Sequence, residues 1–276
     1  MRVETIAQQI FFCTVRIEIE QPDGLAVGTA FAVDYERNGN HFPFLVSNKH
    51  VVANASRGRF FFVRSDGTNP VLGQRVDIQV DDFSRVWVGH PHQTVDVAVA
   101  PLAPLLRQLE QKALSPFYRH IPLSLVASAQ QMEELDAIEE VTFVGYPVGL
   151  FDTANLLPVA RKGTTATPIN VDYRGEAKFL IDASVFHGSS GSPVFIYNQG
   201  AFAHRGGLTV GSRLLLVGVI SAVVSASDSG ELEFIEGPSQ LRPVVRLRQL
   251  LNLGVVEKAV KVTETVEHVL TTAGAL

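Results

Sequence analysis

The sequence predicts an all-β protein with two packed units, and three observations carry that prediction. Short segments alternate apolar and polar residues with a period of two, turn signals separate them, and the chain is long. Its 276 residues are enough for two cores, since typical domains hold about 100–150 residues and single cores stop growing near ~250–300. Many short strands between frequent turns build a sandwich or a barrel, and closure into barrels removes exposed edges.

Taken in order, Val15, Ile17 and Ile19 alternate with Arg16, Glu18 and Glu20, the mark of a strand with one wet face. Phe31 and Val33, Phe60 to Val63, then Val76, Ile78 and Val80, and Val86 to Val88 continue the pattern. Pro22-Asp23-Gly24 and Ser65-Asp66-Gly67-Thr68 punctuate it as turns. The rhythm breaks between Pro104 and Leu135, where Leu105, Leu106, Leu109 and Ala113 recur at helical spacing and Ala127 to Leu135 also suits a helix. Strand patterning resumes at Val141 to Val144, continues through Lys178 to Ile181 and culminates in Leu214 to Val224. Pro238-Ser239 opens an expected helix ending near Asn252-Leu253-Gly254. Val262, Val266, Val269 and Leu270 share one helical face and are expected to pack back on the strands; heptads are not sustained, which disfavours a coiled coil.

Composition narrows the function classes. Hydrophobic residues make up 46% and charged residues 18%, which is ordinary for a folded globular chain. The formal net charge of -5 and the lack of a Lys/Arg tract argue against a nucleic-acid or anionic-membrane surface. No run approaches the ~18–20 apolar residues of a membrane span. Cys13 is the single cysteine, so no intrachain disulfide can form, and the start Met1-Arg2-Val3-Glu4-Thr5 does not read as a secretory leader. Together these features predict a cytoplasmic protein in which Cys13, set in an apolar run, is a buried packing residue.

Three segments carry chemistry. Gly188-Ser189-Ser190-Gly191-Ser192-Pro193 sets a serine in a tight turn between apolar runs. Its glycines allow unusual backbone angles, and the N–H groups of Gly188 and Ser190 are placed to converge on a developing oxyanion. Leu45-Val46-Ser47-Asn48-Lys49-His50 ends a strand-like run at a histidine, and Thr94-Val95-Asp96 opens an unbroken apolar strand with an aspartate. Each has a bland reading, as a linker, a loop residue and a turn cap. Together they offer a hydroxyl nucleophile, a base to take its proton and a carboxylate to fix the base's tautomer. The order His, Asp, Ser disfavours the α/β-hydrolase arrangement, which runs Ser, Asp/Glu, His.

These segments resemble the chymotrypsin-like serine peptidases, in particular the bacterial trypsin-like peptidase domains related to the HtrA group. Gly28-Thr29-Ala30-Phe31-Ala32-Val33, the three segments above, Gly145-Tyr146-Pro147-Val148-Gly149 and Val217-Gly218-Val219-Ile220-Ser221 match in order over most of residues 10 to 225. The resemblance implies two six-stranded antiparallel β-barrels, with His50 as general base, Asp96 as its orienter and Ser190 as nucleophile. It places residues 1–103 in a first barrel, 104–135 in a partly helical connector, 136–235 in a second barrel and 236–276 in a helical segment packed on both. Ser221 would sit beside the carboxylate. Ser184 would lie near the floor of the pocket for the residue before the cleaved bond, and Val223 would narrow one wall. With no acidic group at that floor, small or medium apolar side chains are the expected preference. His187 would line the rim of the cleft or hydrogen-bond a polar side chain.

Two departures qualify the resemblance. Ser189 stands where digestive enzymes carry an aspartate, which implies no zymogen activation of that kind. Ser192 stands where the family usually has glycine, which is tolerable if its φ is negative. The expected partners are a polypeptide substrate and a regulatory protein; no cofactor, metal, nucleic acid, membrane or following PDZ module is expected. His90-Pro91-His92 reads as a structural loop, Trp87 and Phe60-Phe61-Phe62 as core and rim, and Arg161-Lys162-Gly163 as a solvated turn. The alternatives to an endopeptidase are a catalytically silent or partner-activated sensing module on the same fold, and an esterase.

Overall fold

The computed structural model describes residues 1–21, 24–204, 207–231 and 244–275. A short helix α1 (Ile6–Ile10), closed by a Thr5–Gln8 capping box, leads into the first unit. Its strands are β1 (Thr14–Gln21), β2 (Gly24–Arg37) and β3 (Asn40–Ser47), then, after the one-turn helix α2 (Lys49–Val52), β4 (Arg57–Ser65), β5 (Pro70–Asp81), β6 (Val88–Gly89) and β7 (Ala98–Pro101). The connector supplies α3 (Leu102–Gln111), the short strands β8 (Pro116–Phe117) and β9 (Ile121–Pro122), and α4 (Ala129–Glu134).

The second unit comprises β10 (Glu140–Gly145), β11 (Val159–Thr165), β12 (Lys178–Asp182), β13 (Pro193–Asn198), the hairpin β14 (Ala201–His204) and β15 (Gly207–Val210), β16 (Arg213–Glu231) and β17 (Val244–Lys258), followed by α5 (Val260–Thr272). It is a closed six-stranded barrel in the order β10-β11-β12-β17-β16-β13. The first unit is a nine-stranded sheet with the path β5-β4-β1-β2-β3-β7-β6, to which β8 and β9 add at the side. The fold is a chymotrypsin-like double barrel whose first half, among the described residues, wraps its core without a six-strand ladder closing on itself.

The period-two reading of β1 holds: Val15, Ile17 and Ile19 are buried and pack with Phe60, Ile78, Phe83 and Trp87 inside the first unit. The second barrel encloses Val141, Phe143, Phe179, Ile181, Val194, Ile196, Ile220 and Val256. A third cluster lies between the two units, where Phe31, Val46 and Val99 meet Val144, Phe195, Leu216 and Val219, and α5 adds Val262, Val266 and Leu270. The expected packing of the Val262–Leu270 face is therefore found, and that face is part of the joint between the units. Cys13 is buried and its thiol donates to the Ile10 carbonyl at 3.0 Å; burial pushes its pKa upward. No helix among the described residues is long and apolar enough to cross a membrane.

Two expectations are corrected. Residues 238 and 239, the expected start of a helix, lie outside the described residues, but 244–258 form strand β17 between β12 and β16. Pairing along both edges of Leu253 to Glu257 overrides their local spacing. Arg161-Lys162-Gly163 is likewise a strand: β11 pairs Arg161 with Phe143 and Lys162 with Thr142. The half-buried Arg161 lays its guanidinium on the Phe186 ring at 5.0 Å.

Because Leu270 is 5% exposed and sits in the core shared by the two units, Leu270→Ala is expected to destabilise the chain by about 2–5 kcal/mol. Urea unfolding of the two proteins checks this; an unchanged midpoint would place α5 outside the cooperative core.

Candidate active site

His50 is presented by α2, a helix of four residues entered through Asn48. The Asn48 amide donates to the Asp96 carbonyl at 2.6 Å, and the His50 backbone N–H donates to Asp96 Oδ1 at 3.0 Å. His50 Nδ1 and Asp96 Oδ2 are 2.5 Å apart. An ionised carboxylate only accepts, so Nδ1 is the donor and the lone pair is left on Nε2, the arrangement a base requires. The imidazole is 51% exposed and the carboxylate 25%, so the ring is open to solvent while the carboxylate is more sheltered. Lys49 next to it donates to the His92 carbonyl at 2.8 Å, and burial lowers its pKa against the attraction of Asp96.

Ser190 lies in a turn shaped by two glycines. Gly188 has φ +84° and Gly191 φ +85°, and Ser189 N–H donates back to the Phe186 carbonyl at 3.0 Å. A Cβ on Gly188 would stand 2.7 Å from the Tyr146 carbonyl, and one on Gly191 would stand 1.9 Å from the Thr29 carbonyl. The His187 carbonyl accepts from Val148 N–H at 2.6 Å. Across a planar trans peptide the Gly188 N–H then points the opposite way. Among the described residues neither Gly188 N–H nor Ser190 N–H has a protein partner. Ser192 is buried and is not among the positive-φ residues, so its side chain is compatible with the turn.

Thr29 of β2 fastens this turn to the first unit. Its N–H donates to the Ser190 carbonyl at 3.2 Å and its hydroxyl to the Gly188 carbonyl at 3.0 Å. Tyr146 N–H donates to the same hydroxyl oxygen at 3.1 Å, and the Thr29 carbonyl accepts from Ser47 Oγ at 2.8 Å.

The Ser190 hydroxyl donates to the Ser221 carbonyl at 3.4 Å. Ser221 is the extra residue of a β-bulge: Ile220 opposes Val256 and Ala222 opposes Val255, which leaves Ser221 unpaired between them. Its hydroxyl turns to the Val255 carbonyl at 3.3 Å, so the expected position beside Asp96 is not where its hydrogen bond goes. Ser184 is half-buried between β12 and the serine turn, Val223 is half-buried against the second core, and His187 is exposed at the turn. His90 is buried with Nε2 3.0 Å from Glu264, a contact that ties its loop to α5.

Sequence reasoning missed a carboxyl at this site. Glu257 of β17 is 1% exposed, and Lys178, its cross-strand neighbour, stands 3.5 Å away. Burial raises its pKa, while Lys178 favours the anion and the Asp96 charge opposes it. Nothing in its own segment signalled that it would be buried beside Lys178.

A double barrel with a histidine–aspartate couple on one half and a glycine-bounded serine on the other is the chymotrypsin-like class. The trypsin-like peptidase domain profile matches residues 28–202, and the chain belongs to that family. Solved structures with a similar fold include an HtrA-type protease, AlgW, with a tripeptide, at 13% identity and a TM-score of 0.48, matched over 94% of this chain and 62% of that one. A serine endoprotease from Yersinia pestis has 14% identity and a TM-score of 0.48 over 98% of this chain and 68% of its own. A thermostable serine protease from an extremophilic microorganism has 14% identity and a TM-score of 0.49 over 95% of this chain and 98% of its own. The chain thus spans 62% of the length of the HtrA-type protease. No curated protein matches it.

Gly191→Ala combines a positive φ with a Cβ 1.9 Å from a carbonyl oxygen and is expected to lower stability by at least about 1–3 kcal/mol. Gly175→Ala, at φ +76° with nothing within 4 Å, is the control for φ alone. Thermal denaturation of both separates the close approach from the dihedral; equal losses would mean that the serine turn is not tightly seated on Thr29.

Proposed function

We propose that this chain hydrolyses peptide bonds through Ser190, His50 and Asp96, by way of an acyl-enzyme. The observation that supports this best is the three-bond lock of Asp96 on Asn48 and His50, together with a serine turn that Thr29 ties to the same unit and that has two N–H groups without a protein partner among the described residues. Rotation of the Ser190 side chain from the Ser221 carbonyl toward Nε2 of His50 readies the nucleophile. As the hydroxyl oxygen attacks the substrate carbonyl, His50 takes the proton and Asp96 holds the imidazolium. Gly188 N–H and Ser190 N–H receive the oxyanion. His50 then protonates the leaving amine, and water, activated by the same imidazole, releases the acid.

Substrate is read as an added strand. β13 pairs with β16 up to Val219, and beyond it Ala222, Val223 and Val224 pair, among the described residues, only with β17. The other edge of that stretch is open for an extended peptide, which would satisfy its backbone groups there and offer alternate side chains to pockets. Ser184 and Val223 then border the pocket next to the scissile bond, which suits small or medium apolar side chains.

His50→Ala and Asp96→Asn are expected to lower kcat/KM on a peptide substrate by roughly 10³–10⁶-fold. Activity within tenfold of wild type in either would remove that residue from the mechanism. A peptide-library cleavage profile is expected to favour apolar residues before the cut, and dominance of Lys or Arg would contradict the pocket assignment.

One observation favours a second reading. The Ser190 hydroxyl is hydrogen-bonded to the Ser221 carbonyl, as suits a sensing module that becomes a hydrolase only when a protein partner draws the serine to His50. Turnover by the isolated chain separates the two.

A further inference from the structure

Val148 stands in a backbone conformation that its own side chain opposes. Its φ is +52° and its ψ +25°, the left-handed region, where a branched Cβ is a steric outlier; among the described residues no other β-branched side chain adopts a positive φ. Backbone bonds hold it there. Val148 N–H donates to the His187 carbonyl at 2.6 Å, Gly149 N–H to the Tyr146 carbonyl at 3.0 Å and Leu150 N–H to the Pro147 carbonyl at 2.7 Å. Glycine or asparagine at position 148 would make the same bonds without the strain, since both enter this region readily. The turn accounts for the dihedral but not for the valine.

Packing within the chain does not account for it either. Val148 is 75% exposed and Leu150 63%. Leu25 of β2 is 67% exposed, and Val27, on the same face of that strand, lies against the turn, where a Cβ on Gly149 would stand 3.7 Å from it. These side chains form an apolar rim at one flank of the serine turn. A Cβ on Gly188 would stand 3.0 Å from the Val148 nitrogen, and Thr29, on β2, donates its N–H to the Ser190 carbonyl at 3.2 Å. The other flank of the turn belongs to β16, where Gly191 N–H donates to the Ile220 carbonyl at 2.9 Å and the Ser190 hydroxyl to the Ser221 carbonyl at 3.4 Å. A peptide whose acyl part lies along Ala222 to Val224 therefore passes Ser190 and continues over the rim. Strain that stability does not require is retained where a site uses it.

We propose that Val148, with Leu150 and Leu25, is a specificity surface for the part of a polypeptide substrate that follows the scissile bond, and that it selects apolar side chains in the first residues of that leaving segment. This rests on the acyl-enzyme reading of Ser190 and on β16 as the strand that takes the acyl part, which wild-type turnover tests separately.

The test uses a pair of peptides with the same apolar residues before the cut and either leucines or serines directly after it. Wild type is expected to cleave the leucine peptide with a kcat/KM about tenfold higher, the worth of burying one or two methylene groups, and Val148→Asn to bring that ratio within about twofold of unity. Val148→Asn keeps the N–H and suits the dihedral, so it removes the apolar surface alone. A merely structural role would lower both substrates alike and leave the ratio where it was. The same peptides are titrated by fluorescence anisotropy into Ser190→Ala protein with and without Val148→Asn, and the ratio of their Kd values is expected to fall in the same way. A ratio near unity in wild type, or one that Val148→Asn leaves unchanged, overturns the proposal. If wild type cleaves neither peptide, the acyl-enzyme reading fails and the anisotropy ratio decides the proposal by itself, with failure of both peptides to bind counting against it. Leu150→Asn makes the same comparison if Val148→Asn does not fold.

Discussion

Thr29 engages its backbone N–H, its carbonyl and its hydroxyl at the junction of the two units. It holds the carbonyls of Ser190 and Gly188, takes the Tyr146 N–H, and is itself held by Ser47. Ser47 and Asn48 are consecutive, and Asn48 in turn grips Asp96. A short path of hydrogen bonds therefore runs from the serine turn of one half to the histidine–aspartate couple of the other. Each bond is worth only about 1 kcal/mol net, but leaving a buried partner unsatisfied costs ~1–3 kcal/mol, so the path resists partial opening.

The apolar joint gives this polar path its rigidity. Phe31 and Val33 lie on the same strand as Thr29 and are buried against Val144, Phe195 and Val219 of the second barrel. α5 packs into the same cluster through Val262, Val266 and Leu270, and Glu264 on that helix holds His90 of the first unit. The end of the described chain thus braces the cleft from behind. Docking of the two halves and the geometry of the site are a single structural event, because the same few strands serve both.

Much of this was legible in the sequence, and the failures are specific. Alternation at Val15, Ile17 and Ile19 identified a half-wet strand because a pleated backbone turns successive side chains to opposite faces. The segments around His50, Asp96 and Ser190 stood out because each couples an unusual polar residue to a strand end, and the structure joins the first two by hydrogen bonds. Residues 244–254 were misread as helix because Leu and Val at mixed spacing satisfy both periods, and only pairing with β12 and β16 decides between them. Arg161 was read as a turn because charge beside glycine signals solvent, yet its guanidinium stacks on Phe186. Glu257 and Lys178 lie some eighty residues apart, and no local pattern links a cross-strand pair to a loop of the other unit. Ser221 was expected beside the Asp96 carboxylate, but the bulge that turns its hydroxyl to Val255 is a property of the ladder and not of its own segment.

The account stands or falls on whether Ser190, His50 and Asp96 work as one unit across the cleft. Reaction of the isolated chain with a fluorophosphonate, read by mass spectrometry of the digested protein, tests this most directly. The account predicts one label per chain, on Ser190, with the reaction abolished in His50→Ala. A chain that stays unlabelled, or one labelled equally well without the imidazole, would contradict it.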